Sequence, residues 1–251
     1  GRNFFQDQAA EIPTRSSFEY GKKLALLTLQ NLNATVEKIA VGIFCTETAR
    51  DDAALVSMVL ALLGMEPDWS DSPSAGVGGA KLKEMPKYVE LKDLVRPEGW
   101  EKKRIDVVII TTGLFRDLYS RQAGLLDKAF RIALARSYYT ILDDVRLKQK
   151  YGDKIEKALD YVLGPVGFYG IGDESLDYNY VAKHWVEDFE YYMSLNMTPE
   201  IAGEYAISRI FAPPENDYGA GISKSIQLSW TWEDRMQLAD FYLNRMGNIY
   251  S

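Results

Sequence analysis

Hydrophobic residues in the first 148 positions form short apolar runs that alternate with helical patterns. Residues 38–45 and 105–112 are rich in Val and Ile, which is typical of strands covered on both faces. The first run precedes a helical pattern over residues 51–63, and the second precedes a long one that includes Leu125 and Leu126. This order of strand, helix, strand and helix predicts an α/β fold with a Rossmann-like parallel sheet and flanking helices.

The stretch before the first strand and the stretch between the two strands have patterns of their own. Residues 14–32 predict an amphipathic helix. Its apolar face is formed by Phe18, Ala25, Leu29 and Leu32. Gly64 is expected to end the helix over residues 51–63. The Ser-, Gly- and Pro-rich residues 70–79 predict a loop or the tip of a hairpin.

The second half of the chain has helical patterns and no convincing strand. These patterns cover residues 151–163, 175–195, 198–210 and 231–246. We therefore expect an α/β parallel-sheet domain over residues 1–148 and a helical C-terminal part over residues 149–251 that packs on it.

Several short motifs, spread in order over the whole chain, resemble one protein family. The longest is Arg209-Ile-Phe-Ala-Pro-Pro-Glu-Asn-Asp-Tyr218-Gly-Ala-Gly221, which resembles R-I-F-G-x-x-P-G-x-Y-G-A-G. The others are Gly1-Arg-Asn-Phe-Phe5 with Ile12-Pro-Thr14, Arg104-Ile-Asp-Val107 with Gly113-Leu-Phe-Arg-Asp117, and Asn179-Tyr-Val-Ala-Lys-His184. Together they resemble the large subunit of cobaltochelatase and the H subunit of magnesium chelatase. The chain looks like an internal segment of that much longer subunit.

The resemblance implies a substrate and a reaction. The family binds a tetrapyrrole, here a corrin precursor or a porphyrin, into which a divalent metal, cobalt or magnesium, is inserted as a substrate. Separate motor subunits hydrolyse the ATP, so those subunits are expected partners. The glycine-rich residues 76–81 and 164–172 lack the spacing and the preceding strand of a phosphate-binding loop, which agrees with this division. The isolated chain is not expected to be active alone.

Charge and cysteine content narrow the possible partners and the possible kinds of metal site. The formal net charge is −7 and no basic stripe stands out, so nucleic acid is not an expected partner. The single cysteine, Cys45, excludes an intramolecular disulfide and a cysteine-only zinc site. No apolar run approaches the length of about 20 residues that spans a bilayer. A cytoplasmic location is the expectation.

The carboxyl ends of the two predicted strands offer one set of candidate site residues. Ligands of open parallel sheets favour the crevice beyond these ends. Glu47 follows the first strand, and Thr112, Arg116 and Asp117 follow the second. We expect Glu47 and Asp117 to be catalytic and Thr112 and Arg116 to bind substrate. The alternative is that they are helix caps and a surface ion pair.

The helix over residues 175–195 offers a second set. His184 is the only histidine of the chain and could bind metal or accept a pyrrole proton. The resemblance strengthens a catalytic role for His184 and implies substrate binding by Asn179 and Lys183. The alternative is a histidine in a surface ion pair.

The longest motif offers the last set of candidates. Arg209, Tyr218, Gly219 and Gly221 are expected to bind substrate, since the glycines allow close approach and Tyr218 can stack on a flat ring. The alternative is a structural loop that docks the C-terminal helices.

Two functions follow from these candidates. The first is a domain of a tetrapyrrole metal chelatase that helps to bind the ring. The second is a non-catalytic domain for subunit interaction. It is favoured by departures from the family motifs: Ala182 stands where the family has Arg, Ala212 where it has Gly, and Glu215-Asn216 where it has Pro-Gly. A hydrolase or dehydrogenase ranks last because no nucleophile elbow or dinucleotide loop is found.

Overall fold

A computed structural model of the chain describes residues 11–71, 80–212 and 248–249. Its helices are α1 (Arg15–Gln30), α2 (Cys45–Arg50), α3 (Ala54–Leu63), α4 (Gly113–Leu118), α5 (Ser120–Ala135), α6 (Tyr138–Asp143), α7 (Val145–Tyr151), α8 (Lys154–Leu163), α9 (Tyr180–Ser194) and α10 (Pro199–Ile207). Its strands are β1 (Lys38–Ile43), β2 (Met65–Glu66), β3 (Trp69–Asp71), β4 (Ala80–Leu82), β5 (Lys87–Tyr88), β6 (Asp106–Thr111), β7 (Ile210–Ala212) and β8 (Asn248–Ile249). Short 3-10 turns lie at Leu91–Asp93 and Gly164–Val166.

The main sheet has the strand order β1-β6-β7-β8. β1 pairs in parallel with β6 from Lys38 opposite Asp106 to Ile43 opposite Thr111. β7 also runs parallel to β6, whereas β8 is antiparallel to β7. The predicted mixed α/β fold with parallel strands is therefore confirmed.

The expectation of no strand after residue 149 was wrong, because β7 belongs to the second half of the chain. It has only three residues, which is too short to produce a periodic pattern, and its neighbours in the sequence are a helix and two prolines. The division into parts at residue 148 stays a prediction.

The predicted helices formed with some changes at their ends. α1 begins after Thr14, whose hydroxyl accepts a hydrogen bond from the Ser17 backbone, and it ends before Leu32, which is exposed. The helix expected over residues 51–63 begins at Ala54 and ends at Gly64, which adopts the left-handed conformation.

Differences of the same kind occur later in the chain. The helix expected over residues 151–163 is divided between α7 and α8, and β3 and β4 pair as the arms of a hairpin. The helix expected over residues 231–246 lies outside the described residues.

Arg104, immediately before β6, is a buried cation that connects several elements of the fold. Its side chain is fully buried and makes a bidentate pair with Glu174 at 2.7 and 2.8 Å. It also donates to the carbonyl oxygens of Leu63, Gly64 and Val89. One side chain thus joins the end of α3, the segment after β5 and the loop before α9.

Helices α1 and α3 approach closely at Gly21. A β-carbon at this position would overlap the Ser57 side chain and would lie 2.7 Å from the Met58 backbone nitrogen. Gly124 in α5 differs, because a β-carbon there would meet nothing within 4 Å. Close helix packing thus requires a glycine at position 21, whereas no neighbouring atom requires one at position 124.

We predict opposite effects for Gly21→Ala and Gly124→Ala. The first should destabilise the fold by about 1–3 kcal/mol because it overpacks a helix contact. The second should stabilise it by up to about 1 kcal/mol because alanine favours the helix. Urea unfolding of both variants measures the effects, and equal changes would contradict the packing described for Gly21.

We also predict that Arg104→Ala lowers the free energy of unfolding by about 3–5 kcal/mol, because it leaves buried Glu174 and three carbonyl groups without this donor. The control is Arg146→Ala, which removes an exposed ion pair with Glu190 and should cost about 1 kcal/mol or less. Chemical denaturation compares them. A small loss for Arg104→Ala would show that the buried pair contributes little.

Candidate functional site

Charged side chains gather at the amino ends of the parallel strands. This amino-edge cluster consists of Glu37, Lys38, Asp106, Lys183, His184, Asp188 and Arg209. Glu37 precedes β1, Asp106 begins β6, and Arg209 precedes β7. Helix α9 contacts β6 and contributes the other three residues, Lys183, His184 and Asp188.

Asp106 is the centre of the cluster and is fully buried. Its carboxylate accepts hydrogen bonds from Arg209 Nε at 3.1 and 3.2 Å and from the Val107 backbone at 2.9 Å. Lys38 Nζ lies 3.3 Å from Oδ2. Burial alone would raise the pKa of this carboxyl, but Arg209, His184 and Lys38 outweigh burial and lower the pKa below its usual value. Asp106 is therefore ionised at neutral pH.

His184 joins the buried centre to the surface. Its Nδ1 lies 2.9 Å from Asp106 Oδ2, and its Nε2 lies 3.3 Å from Glu37 Oε2. Only a tenth of the imidazole is exposed, and its ring stacks on Tyr180 with 6.3 Å between the centroids. The ring is thus held in one orientation.

Glu37 and Lys183 form the open side of the cluster. Lys183 Nζ donates to both oxygens of Glu37 at 2.6 and 2.7 Å, and about a third of each side chain is exposed. The hydrogen bond from Lys183 lowers the pKa of Glu37, and the carboxylate in turn raises the pKa of Lys183. A ligand at this rim would meet a carboxylate, an ammonium group and an imidazole.

Arg209 connects the cluster to the helices. Its Nη1 donates to the backbone oxygens of Ala206 and Ser208, and its Nη2 lies 3.2 Å from Asp188 Oδ2 without hydrogen-bond alignment. The side chain is buried. Its position fits a role in holding Asp106, and substrate binding by Arg209 stays a prediction.

The charged residues predicted at the carboxyl ends of the strands lie on two helices that contact each other. α2 and α4 are in contact, and they carry Glu47 and Asp117. Glu47 accepts a hydrogen bond from Thr46 at 2.8 Å, and Asp117 pairs with Arg116 at 2.6 Å. The hydrogen bond from Thr46 lowers the pKa of Glu47.

Arg116 also lines a mainly apolar pocket at this carboxyl edge. The pocket has a volume of about 200 Å³ and is lined by Thr111, Phe115, Arg116, Ser120, Ala123, Gly124, Ile210 and Ala212. Thr112 caps α4 through its hydroxyl group. Among the described residues, Arg116 is the predicted substrate-binding residue that lines this pocket.

The predicted catalytic residues lie at two opposite edges of the sheet. β6 has six residues, which at about 3.3 Å per residue separates its ends by roughly 17 Å. His184 is at the amino edge, and Glu47 and Asp117 are at the carboxyl edge. One small ligand group cannot meet all three side chains in this arrangement.

Asn179 is buried and has three hydrogen-bond partners. Its amide nitrogen donates to the Ala133 oxygen and to the Ser137 hydroxyl, and its oxygen accepts from the Ala182 backbone as the cap of α9. These contacts orient the helix that carries His184, and substrate binding by Asn179 stays a prediction. Tyr218, Gly219 and Gly221 lie outside the described residues.

Sequence reasoning did not select Asp106 or Glu37 as site residues. Asp106 carried a signal, because it is a charged residue within the apolar run 105–112. Glu37 carried none, since a carboxylate before a strand is common. Its partners are 146 and 147 positions away in the chain, so only the fold relates them.

The described residues contain neither a metal-binding group of side chains nor a membrane-spanning helix. Within residues 11–71 and 80–212, no group of three or more His, Cys, Asp or Glu side chains could hold a metal ion. Over the same part of the chain, no helix has the length and apolar character needed to cross a membrane.

Comparison with known proteins defines first the fold and then the family. The catalytic subunit of cobaltochelatase from Mycobacterium tuberculosis has a similar fold, with a TM-score of 0.68 and 24% identity over 96% of this chain and 16% of that one. The family model described as CobN/Magnesium Chelatase matches residues 1–251. The chain belongs to this family.

Curated relatives are much longer than this chain. The aerobic cobaltochelatase subunit CobN of Pseudomonas aeruginosa is 25% identical over 254 residues, which cover 100% of this chain and 16% of the relative. The magnesium-chelatase subunit ChlH of Oryza sativa subsp. japonica is 26% identical over 98% of this chain and 14% of the relative. The chain therefore corresponds to about a sixth of these proteins.

We predict that the amino-edge cluster makes stability depend on acidic pH. The folded-state pKa values of Glu37 and Asp106 lie below the unfolded values near 4.5 and 3.8, so their contribution is present above these values and is lost as the pH falls through the folded ones. Asp106→Asn should reduce the slope of unfolding free energy against pH below about 5. Urea unfolding from pH 7 to 3 measures it.

The control for this pH dependence is Asp143→Asn, which removes an exposed partner of Lys148 and should keep the wild-type slope. An unchanged slope in Asp106→Asn would show that other carboxylates cause the acid sensitivity.

Proposed function

We propose that this chain is a segment of the large subunit of a tetrapyrrole metal chelatase and that its amino-edge cluster contributes to the ring-binding site. The ring is a corrin precursor or a porphyrin, and the divalent metal, cobalt or magnesium, is a substrate. ATP is hydrolysed by separate partner subunits, the isolated chain is inactive, and the location is cytoplasmic. The Rossmann-like character of the sheet belongs to the same proposal.

The observation that carries the proposal is the meeting of three motifs in one cluster. Asp106 comes from the motif at residues 104–107, His184 from that at residues 179–184, and Arg209 from that at residues 209–221. His184 and Asp106 are 78 positions apart, and Arg209 and Asp106 are 103 apart, yet their side chains are hydrogen bonded. The motifs that carry the resemblance thus build one polar site.

The chemistry of the rim suits metal insertion. Insertion of a divalent ion requires two pyrrole nitrogens to lose their protons, and a positioned imidazole can accept them. Lys183 and Lys38, each about a third exposed, can attract the carboxylate side chains of the ring. Because no described group of side chains could hold a metal ion alone, we infer that other parts of the subunit or the ring supply its ligands.

The second candidate function is a non-catalytic domain for subunit interaction. It is favoured by the ion pairs and hydrogen bonds that the cluster makes internally. Arg209, Asp106 and His184 all have partners within the chain. On this alternative the three motifs meet because they stabilise the fold, and the ring is bound elsewhere in the subunit.

Absorbance titration with a corrin precursor, hydrogenobyrinic acid diamide, and with protoporphyrin tests the proposal. We predict saturable spectral changes for at least one ring with the wild-type chain. We expect His184→Ala and Lys183→Ala to weaken binding about tenfold or more, which corresponds to about 1.4 kcal/mol. Lys148→Ala, an exposed lysine on α7, should bind as the wild type does.

Two other outcomes would change the conclusion. Weaker binding in Arg116→Ala with normal binding in His184→Ala would move the site to the carboxyl edge. No saturable change with either ring would favour the interaction domain.

A further inference from the structure

His184 lies between two carboxylates in different surroundings. Asp106 is fully buried and contacts Nδ1 at 2.9 Å, whereas Glu37 is about one-third exposed and lies 3.3 Å from Nε2. The first contact is an ordinary hydrogen-bond length and the second is long. The two ring nitrogens therefore have different surroundings: a close, buried carboxylate at Nδ1 and a more distant, partly exposed one at Nε2.

The buried contact determines where the ring carries its proton. Both carboxylates accept hydrogen bonds when ionised, and a neutral imidazole has only one N–H to donate. The shorter contact, 2.9 Å to Asp106 against 3.3 Å to Glu37, and the full burial of Asp106 place this N–H on Nδ1. Asp106 cannot take this proton easily, because Arg209, Lys38 and the Val107 backbone all stabilise its negative charge. Neutral His184 is thereby fixed with hydrogen on Nδ1, and the lone pair of Nε2 is directed towards the rim.

The longer contact, between Nε2 and Glu37, provides a route by which a proton accepted at Nε2 can leave the ring. When Nε2 gains a proton, the ring can donate to Glu37 Oε2, and the carboxylate is held in reach by two hydrogen bonds from Lys183. Among the residues that the structure describes, Lys38 and Glu187 are further charged groups near this side. Because Lys183 lowers the pKa of Glu37, the carboxyl group would release the proton to water instead of keeping it.

We propose that Asp106 is a positioning residue that fixes the Nδ1–H tautomer of His184, and that Glu37 passes the proton accepted by Nε2 to solvent. In the transfer, a pyrrole N–H bond breaks and an Nε2–H bond forms. The Nε2–H bond then breaks as Glu37 Oε2 takes the proton, which leaves to water. Metal insertion requires two such transfers for each ring. The relay rests on the proposed function, whereas the tautomer does not.

The single histidine makes the tautomer directly measurable. Long-range proton–nitrogen NMR of the 251-residue chain, produced without a histidine tag, contains the imidazole signals of His184 alone. In the neutral imidazole we expect a protonated Nδ1 and an unprotonated Nε2. An Nε2–H tautomer in the wild type would overturn the proposal without any variant.

Two variants separate the roles of the carboxylates. In Asp106→Asn the amide can donate or accept, so the Nδ1–H preference should be lost and a mixture of tautomers should appear. In Glu37→Gln the tautomer should be unchanged. Retention of the Nδ1–H preference in a folded Asp106→Asn chain would contradict positioning by Asp106. If this variant does not fold, the tautomer of the wild-type chain still tests the proposal.

The exit role of Glu37 is tested by metal insertion in the complete large subunit with its partner subunits. Glu37→Gln should lower kcat about tenfold or more while the KM for the ring stays the same, and Glu37→Asp should restore part of the rate. An unchanged kcat would overturn the exit role.

The tautomer and the proposed function can fail separately. The Nδ1–H tautomer without binding of hydrogenobyrinic acid diamide or protoporphyrin would support positioning by Asp106 and contradict the proposed function. Binding weakened by His184→Ala, together with an Nε2–H tautomer, would support the site and overturn the relay.

Discussion

Two buried charges at the beginning of the central strand hold the layers of this fold together. Arg104 joins β6 to the end of α3 and to Glu174 before α9, and Asp106 joins β6 to α9 and to the segment before β7. A buried charge is costly unless it is paired and fully hydrogen bonded. Each of these side chains therefore allows few alternative arrangements of the elements around it, and Asp106 also orients His184.

The parallel pair β1 and β6 could be predicted from the sequence because each strand lies within a mostly apolar run, over residues 38–45 and 105–112, that a helical pattern follows. β7 could not, because three residues give no periodic signal and the strand exists through its pairing with β6. The bounds of α9 show the same limit. The helix begins at Tyr180 because the buried side chain of Asn179 caps it, a contact that a periodic pattern does not reveal.

The candidate site was partly predictable. The motifs selected Lys183, His184 and Arg209, whereas the rule for open parallel sheets selected Glu47, Arg116 and Asp117 at the carboxyl edge. The two groups of residues lie at opposite ends of β6, the first joined by side-chain contacts through Asp106 and Glu37 and the second on two helices in contact. Neither route found Glu37, because its contacts with Lys183 and His184 depend on the pairing of β1 with β6 and on the packing of α9.

The carboxylates at the two edges differ in how deeply they are buried. At the carboxyl edge, Glu47 accepts a hydrogen bond from Thr46, and Asp117, which is more than a third exposed, accepts one from Arg116. At the amino edge, the partners come from distant segments, and one of them is a fully buried carboxylate that orients an imidazole. A buried ion pair is not needed to stabilise a fold, since well-packed apolar residues can often replace it without loss of stability. Its placement beneath a rim that is one-third exposed therefore favours proton transfer at the amino edge.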